Sequence, residues 1–275
     1  VSSLGMALKK KVGPPKTPPP PVRVVHEFRK NSGWPWVGKY HVLRTLGSGF
    51  CGPCVYEAEN THTCTKVALK FPARKEEVVA LETISKAMPT GCRGIPKLLG
   101  TGRHDNKHFL VLDIFRMPLV QFFPRIWSKP IDERLPVACI LGRLLLRRLE
   151  GLHRCGYVHC DISPENILLG CSGSPKLSPH IVDFGLARPF PNGGRLGGEH
   201  GSQEWSSIRS SEGLERRPED DLEALGWLLV NCIFSVLPWF SCLDVAYKSW
   251  HKQETRESTT LQVQLMKRRF LDSDW

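Results

Sequence analysis

The sequence predicts an α+β protein in which a group of β-strands precedes a mostly helical part of the chain. Three segments with strand-like apolar patterns lie close together between residues 39 and 71, and two more follow between 94 and 113. A long stretch with apolar residues at helical spacing then covers residues 133–155. Strands that are collected in one part of a chain and helices in another are typical of the α+β class.

Length and charge limit the possible functions. The chain has 275 residues and a net charge of +11, and it is long enough to bury a core as one or two domains. No apolar run approaches the roughly 18–20 residues that a membrane span needs, and residues 1–6 lack the apolar core of a signal peptide. We therefore expect a cytoplasmic or nuclear protein without membrane association. The chain does not begin with Met, which is compatible with a fragment.

The positive charge is spread over several short runs. No aromatic-interleaved RNA motif and no zinc-finger spacing accompanies these runs, so nucleic acid is not favoured as the primary partner. Acidic protein partners remain compatible with the charge. The runs are Lys9-Lys10-Lys11, Arg147-Arg148, Arg216-Arg217 and Lys267-Arg268-Arg269.

Residues 1–33 are basic and rich in proline. Such a composition cannot bury enough apolar surface to fold alone, so it predicts a disordered or polyproline II tail. A proline motif that binds another domain is the alternative function of this segment.

A glycine-rich turn joins the first two predicted strands, which cover residues 40–46 and 55–58; the third covers 66–71. The turn reads Gly47-Ser48-Gly49-Phe50-Cys51-Gly52. A dinucleotide fingerprint runs from a strand into a helix, whereas this turn runs from strand to strand. A dinucleotide site is therefore not favoured, and the turn instead resembles the glycine-rich flap of protein kinases, whose backbone covers ATP phosphates.

The same turn contains the pair Cys51 and Cys54 in the spacing of a thioredoxin-like redox motif. Such a motif needs a helix N-terminus to lower the pKa of its first thiol. A strand pattern follows Cys54 instead, which argues against a redox enzyme. A disulfide that stiffens the flap remains open.

The remaining elements are predicted from apolar spacing. Residues 73–88 form a predicted helix with an apolar stripe, residues 94–102 and 108–113 form two strands, and residues 133–155 form a second helix. The stripe of the first helix consists of Val78, Leu81, Ile84 and Met88.

Two polar turns carry the residues with the clearest chemistry. Tyr157-Val158 and Ile167-Leu168-Leu169 bracket a turn that contains Asp161 and Asn166, and Asp183 follows in a second such turn. A carboxylate can accept the proton of a hydroxyl group, and carboxylate and amide oxygens are ligands for Mg²⁺. These turns predict a site that orients a hydroxyl group and binds Mg²⁺ through Asn166 and Asp183.

The spacing of Asp161, Asn166 and Asp183-Phe184-Gly185 resembles the H-R-D-x-x-x-x-N loop and D-F-G motif of protein kinases. Four further elements resemble the casein kinase I and vaccinia-related kinase group, and the resemblance covers about residues 38–242. These elements are Gly94-Ile95-Pro96, Ser207-Ile208 in place of Ala-Pro-Glu, Asp220-Asp221-Leu222-Glu223-Ala224-Leu225-Gly226 and Leu237-Pro238-Trp239.

This resemblance implies a bilobal protein-kinase fold, with a β-rich N-lobe over residues 34–113 and a helical C-lobe over 114–275. Residues 243–275 are fewer than the family's remaining helices need, so we expect a shortened C-lobe. One basic segment there, residues 261–266, has a helical pattern. The implied function is transfer of the ATP γ-phosphate to Ser or Thr of protein substrates, with ATP and Mg²⁺ as cofactors.

The resemblance also assigns roles to residues. Lys70 would contact the α and β phosphates, and Glu82, with Glu77 as the alternative, would brace it. Asp161 would accept the hydroxyl proton, and Asp221 would brace the catalytic loop. The implied nucleotide contacts, with Leu112 as gatekeeper, are Leu46, Gly47, Ser48, Gly49, Gly52, Val55, Ala68, Lys70, Leu112, Asp113, Phe115 and Leu168.

Two positions depart from the kinase pattern. Cys160 replaces the Arg of H-R-D, which implies control that does not depend on activation-loop phosphorylation. Ser163 replaces the Lys that meets the γ-phosphate, and one lost electrostatic group of this kind costs about 2.7–4 kcal/mol in the transition state. A pseudokinase scaffold that acts through protein partners is therefore the alternative to an active kinase.

Substrate preference is only weakly indicated. Arg188, Arg216 and Arg217 near the activation segment are compatible with acidic substrates or substrates primed by phosphate. A solvated basic face explains them equally well, and the sequence leaves the oligomeric state open.

Overall fold

The computed structural model describes residues 35–48, 54–88, 94–171, 176–191, 201–247 and 253–273. The predicted tail over residues 1–33 lies outside these ranges. So do Gly49, Cys51 and Gly52 of the glycine-rich turn.

A six-stranded antiparallel sheet contains the five predicted strands and one short strand before them. The order across the sheet is β1-β2-β3-β4-β6-β5. The fifth strand begins two residues after Pro96 rather than at residue 94, because proline cannot donate a ladder hydrogen bond. The strands are β1 (Trp36–Val37), β2 (Tyr40–Ser48), β3 (Cys54–Asn60), β4 (Thr65–Ala73), β5 (Leu98–His104) and β6 (Lys107–Leu112).

The helix α1 (Lys75–Ala87) packs beside this sheet. Glu76 and Glu77 lie in its first turn and Lys86 lies in its last, which complements the helix dipole. Val78, Leu81 and Ile84 are buried on one side, as the apolar stripe predicted. They share a hydrophobic core with Leu110 of β6.

Two smaller sheets and six helices form the rest of the described chain. The three-stranded sheet has the order β10-β9-β7, and β11 pairs with β8. The strands are β7 (Phe115–Pro118), β8 (Tyr157–Val158), β9 (Ile167–Cys171), β10 (Pro179–Ile181) and β11 (Arg188–Pro189). The helices are α2 (Phe123–Trp127), α3 (Ile131–Arg154), α4 (Ile208–Ser211), α5 (Pro218–Phe234), α6 (Phe240–Tyr247) and α7 (Gln253–Asp272).

The long helices α3 and α5 form the centre of the helical part. Leu145, Leu149 and Leu152 of α3 are buried in the same core as Leu228 of α5. Gly142 allows the close approach, because a Cβ there would lie 2.8 Å from Cδ1 of Leu229. The sheet followed by this helical part confirms the predicted bilobal α+β fold.

The last helix is longer than the sequence pattern indicated. α7 covers 20 residues, whereas the pattern predicted helix only over residues 261–266. Thr259, Val263 and Lys267 are buried at a spacing of four residues, so α7 presents one side to the protein. In the described part of the chain, no helix combines the length and apolar character needed to cross a bilayer.

Candidate active site

Lys70 joins the sheet to two acidic groups. Its Nζ lies 2.8 Å from Oε1 of Glu77 on α1 and 2.8 Å from Oδ1 of Asp183. Burial by itself would lower the pKa of Lys70, but Glu77 and then Asp183 outweigh burial and raise it. Lys70 is therefore a fixed positive charge that is suited to hold phosphate oxygens.

The predicted pairing of Glu82 with Lys70 is wrong. Glu82 accepts a hydrogen bond from Oγ1 of Thr101 at 3.0 Å, and Glu77, which is 1% exposed, contacts Lys70. Five residues turn an α-helix by about 140°, so the two glutamates cannot point in the same direction. Glu77 lies on the buried side of α1, and this helical phase decides which glutamate reaches Lys70.

Asp161 and Asn166 meet in the loop between β8 and β9. The amide nitrogen of Asn166 donates to the Asp161 backbone oxygen at 2.9 Å and to Oδ2 of Asp161 at 2.8 Å. The second carboxylate oxygen, Oδ1, accepts the Ser202 N–H at 3.0 Å. Burial raises the pKa of Asp161, and the Ser202 N–H opposes that rise. Both carboxylate oxygens are thus held in defined directions.

Asp221 braces this loop from the first turn of α5, as predicted. Its carboxylate accepts the backbone N–H of His159 at 2.8 Å and that of Cys160 at 2.9 Å. It also lies 2.9 Å from Nε2 of His153. Cys160 has a φ of 68°, a left-handed conformation that these contacts stabilise. Burial raises the pKa of the Cys160 thiol, so this side chain stays a neutral thiol.

Asp183 lies in a second left-handed turn, with a φ of 65°. Its Oδ1 accepts the Gly185 N–H at 3.2 Å in addition to the Lys70 ammonium. Burial opposes ionisation, but Lys70 lowers the pKa of Asp183 below its usual value. The buried Phe184 ring packs edge-on against His159, with 5.0 Å between ring centroids. The side chain of Asp183 remains 43% exposed, so it is accessible to a cation.

Gly201 lies directly against the carboxylate of Asp161. Gly201 has a φ of +92°, and a Cβ there would lie 3.2 Å from Oδ1 of Asp161 and 3.2 Å from the Cys160 backbone oxygen. Only glycine fits this position without displacing Asp161. The next residue, Ser202, can then donate its N–H to the carboxylate.

The sheet places several predicted nucleotide contacts on the face that carries Lys70. Val55 and Lys70 are cross-strand partners, and Ala68, two residues before Lys70, is opposite Leu112. Cross-strand partners and residues two apart share a face, so all four side chains point to the same side of the sheet. Leu46 is half-buried towards the end of β2, where Gly47 is opposite Val55 and Ser48 is opposite Cys54.

The remaining predicted nucleotide contacts lie after β6. The carboxylate of Asp113 accepts the Lys97 N–H at 3.1 Å, which leaves the backbone of Asp113 as the group that could meet an adenine edge. The centroid of the Phe115 ring lies 4.7 Å from that of the His180 ring. Leu168 of β9 is the cross-strand partner of His180 of β10. Gly49 and Gly52 lie outside the described residues.

The donor set fits Mg²⁺ bound with nucleotide phosphates. Both Asn166 hydrogen bonds to Asp161 use the amide nitrogen, so the amide oxygen could serve as a metal ligand together with the Asp183 carboxylate. In the described ranges, no cluster of three or more His, Cys, Asp or Glu side chains could hold a metal by itself. Mg²⁺ commonly binds through one or two protein oxygens together with substrate phosphates, and these two residues supply that number.

The structure also locates two residues that depart from known motifs. Ser163 is 1% exposed and carries no charge, so it cannot replace a lysine electrostatically. Cys54 is the first residue of β3, so its Cys-x-x-Cys segment leads into a strand rather than a helix. Cys51 lies outside the described residues.

Comparison with known proteins gives the same assignment. A model of the protein kinase domain matches residues 40–270. The chain is 31% identical over 231 residues to a probable casein kinase I homolog of Encephalitozoon cuniculi, and the match covers 79% of this chain and 68% of that protein. The chain therefore belongs to the protein kinase family and is casein kinase I-like.

Proposed function

We propose that this serine/threonine protein kinase transfers phosphate with Asp161 as its catalytic base and with Lys70, Asn166 and Asp183 as its nucleotide and metal residues. The contact that carries this proposal is the double ion pair of Lys70 with Glu77 and Asp183, each at 2.8 Å. Through this contact, the ammonium of Lys70 on β4 reaches Asp183, the proposed metal ligand. The fixed Asp161 carboxylate completes the set.

Each residue has a separate task. Lys70, held in direction by Glu77, binds phosphate oxygens with its ammonium group. Asp161 accepts a hydrogen bond from the substrate hydroxyl and takes its proton as the hydroxyl oxygen attacks the γ-phosphorus; the bond from that phosphorus to the bridging oxygen breaks, and ADP leaves. Asn166 keeps Asp161 in place through two hydrogen bonds. Catalysis then rests on positioning and on neutralisation of phosphate charge.

Asp183 and Asn166 would hold Mg²⁺ on the phosphates of ATP. Bound there, Mg²⁺ would neutralise negative charge that builds up on the phosphate oxygens. The Lys70 ammonium donates hydrogen bonds to both Glu77 and Asp183. It therefore holds Asp183 in place, and it would also bind the phosphates that Mg²⁺ contacts.

The proposal is tested by binding and by transfer. Thermal shift with Mg²⁺-ATP measures binding, and labelled phosphate transfer to casein measures catalysis, with D161N as the control. We expect binding in both proteins and transfer in the wild type alone. If the protein binds Mg²⁺-ATP but shows no phosphate transfer that depends on Asp161, the result would support the pseudokinase alternative. The replacement of the catalytic-loop Lys by Ser163 favours that alternative.

The redox alternative is tested in the same preparation. C51S is expected to leave phosphate transfer unchanged. Disulfide reductase activity that disappears in C51S would support the alternative, but Cys54 is the first residue of β3, and this strand provides no helix N-terminus.

We propose that substrates are acidic or carry a priming phosphate. Arg217 is exposed and Arg188 is half-buried, so both can meet an anionic substrate. Arg216 is 7% exposed and is not part of this surface. R188Q and R217Q should raise the KM for an acidic peptide more than that for a neutral one. Equal changes for both peptides would contradict the proposal.

A further inference from the structure

A lysine of the last helix is completely buried. Lys267 on α7 is 0% exposed, although its neighbours Arg268 and Arg269 face outward. Its ammonium lies 5.1 Å from the centroid of the Trp239 ring and 5.8 Å from that of Trp227. Two aromatic faces at these distances stabilise a cation through their quadrupoles.

The ammonium holds the turn that precedes α4. Nζ donates to the backbone oxygen of Gln203 at 3.2 Å and to that of Ser206 at 2.5 Å. The indole N–H of Trp239 donates to the Glu204 backbone oxygen at 2.9 Å. Three carbonyl groups of one short turn are thus bound by two side chains.

The turn connects this lysine to the catalytic carboxylate. Lys267 binds the Ser206 oxygen at 2.5 Å, the Ser206 N–H binds the Ser202 oxygen at 3.0 Å, and the Ser202 N–H binds Oδ1 of Asp161 at 3.0 Å. The three hydrogen bonds form an unbroken path from α7 to Asp161. A displacement of Lys267 therefore acts on the contact that orients the base.

We propose that Lys267 is a positioning residue for phosphate transfer, whose ammonium fastens the turn 202–206 so that the Ser202 N–H stays on the Asp161 carboxylate. This inference rests on the proposed role of Asp161 as the base. It assigns a catalytic consequence to a basic run that otherwise has the appearance of a solvated surface.

Burial of the charged Lys267 side chain costs folding free energy. This cost distinguishes a residue that positions the turn from one that only stabilises the fold. Burial lowers its pKa to about 7, and Glu223 and Glu204 oppose this shift only partly. The other charged groups beside α7 are engaged elsewhere or exposed: Glu212, directly after α4, pairs with Arg268, Arg209 of α4 lies near Asp220, and Asp244 of α6 is exposed. Because the folded pKa lies below the unfolded one, the charged side chain opposes folding at neutral pH.

The test compares K267M with R268M in the full chain. K267M keeps the aliphatic stem and removes the ammonium. R268M removes the same charge from the adjacent residue, whose partner is Glu212 on the surface. Amide hydrogen exchange of a peptide covering residues 201–206 reports the turn directly, and the kcat and the KM for Mg²⁺-ATP report its effect on catalysis.

We expect faster exchange at residues 201–206 and an about tenfold lower kcat in K267M alone, a factor that corresponds to about 1.4 kcal/mol. The KM for Mg²⁺-ATP should stay unchanged, because Lys70 and Asp183 are not on the hydrogen-bond path. The melting temperature should stay close to that of the wild type, since the relieved burial of a charge offsets the lost hydrogen bonds. Unchanged exchange in K267M, or a kcat that falls only as far as stability falls, overturns the proposal.

A second variant decides the question if K267M does not fold. W239F keeps an aromatic face beneath the ammonium and removes the indole donor to Glu204. Faster exchange at 201–206 with a lower kcat and an unchanged KM supports the proposal, and wild-type exchange overturns it. If the wild-type protein showed no phosphate transfer that depends on Asp161, the proposed function would be refuted, while the exchange data would still test whether Lys267 fastens the turn 202–206.

Discussion

Glu77 of α1, and not Glu82, accepts the ammonium of Lys70, with 2.8 Å between Nζ and Oε1. E77Q should therefore raise the KM for Mg²⁺-ATP and lower the kcat, because Lys70 is left to Asp183 alone. Breaking a buried ion pair costs about 3–5 kcal/mol, and we expect the lower end because Gln still accepts a hydrogen bond. Steady-state kinetics and denaturant unfolding measure both effects.

The matched control is E82Q on the same helix. Its contact with Thr101 lies away from Lys70, so kinetics and stability should stay near the wild type. A larger kinetic loss in E82Q than in E77Q would contradict the assignment.

Ser163 provides a test of charge in the catalytic loop. S163K should raise the kcat by up to about 10²–10³ if a cation reaches the γ-phosphate, since one such group contributes about 2.7–4 kcal/mol. S163A, which removes only the hydroxyl, should change the kcat little. Single-turnover phosphate transfer to casein distinguishes chemistry from product release. A large loss in S163A would mean that the hydroxyl itself takes part.

Asp221 is expected to couple stability and activity. D221N keeps the shape of the side chain but removes the negative charge of the carboxylate, whose two oxygens accept hydrogen bonds from the backbone N–H groups of His159 and Cys160. We expect a loss of about 1.5–3 kcal/mol in the free energy of unfolding, the usual contribution of a hydrogen bond to a charged group, and a lower kcat. E219Q, which changes an exposed acid in the same helix turn, is the control. Equal unfolding midpoints for the two variants would be evidence against this brace.

The burial of Lys267 predicts a pH dependence of stability. With a folded pKa of about 7 and an ordinary pKa of 10.5 when unfolded, the unfolded chain binds more protons between these values. Stability from this group therefore rises with pH in that window, by about 2–3 kcal/mol between pH 7 and 9. The wild-type free energy of unfolding should gain this amount relative to that of K267M. A difference that is constant with pH would refute it.

Much of the fold could be predicted because each part had a local signal. The five strands of the main sheet were predicted from their apolar patterns, and α1 and α3 from apolar residues at helical spacing. The catalytic loop followed from Asp161, Asn166 and Asp183, whose spacing is set by the turns that hold them. These patterns need no knowledge of distant contacts.

The errors arose where a count of residues replaced helical phase. The number of residues between Lys70 and Glu82 favours Glu82, whereas the direction of a side chain depends on its angle around α1. Glu77 adjoins Val78 and lies one turn before Leu81, so the buried stripe was the signal that could have found it.

Lys267 could not be identified from sequence in the same way. It stands in a run of three basic residues, which usually indicates solvent. Its spacing of four residues from Val263 was the available clue. The deciding contacts come from Trp227, Trp239 and the carbonyl groups of a distant turn, and such contacts exist only once the chain has folded.

Gly201 has a consequence for separating nucleotide binding from chemistry. A single methyl group at this position would press on Asp161 and on the Cys160 carbonyl, yet it would leave Lys70, Glu77 and Asp183 untouched. The substitutions commonly used to inactivate kinases remove a charged side chain and so also change the electrostatic interactions with ATP. A G201A protein would keep every ionisable group of the enzyme while its base is displaced by tenths of an ångström, so a comparison with the wild type would isolate geometry from charge.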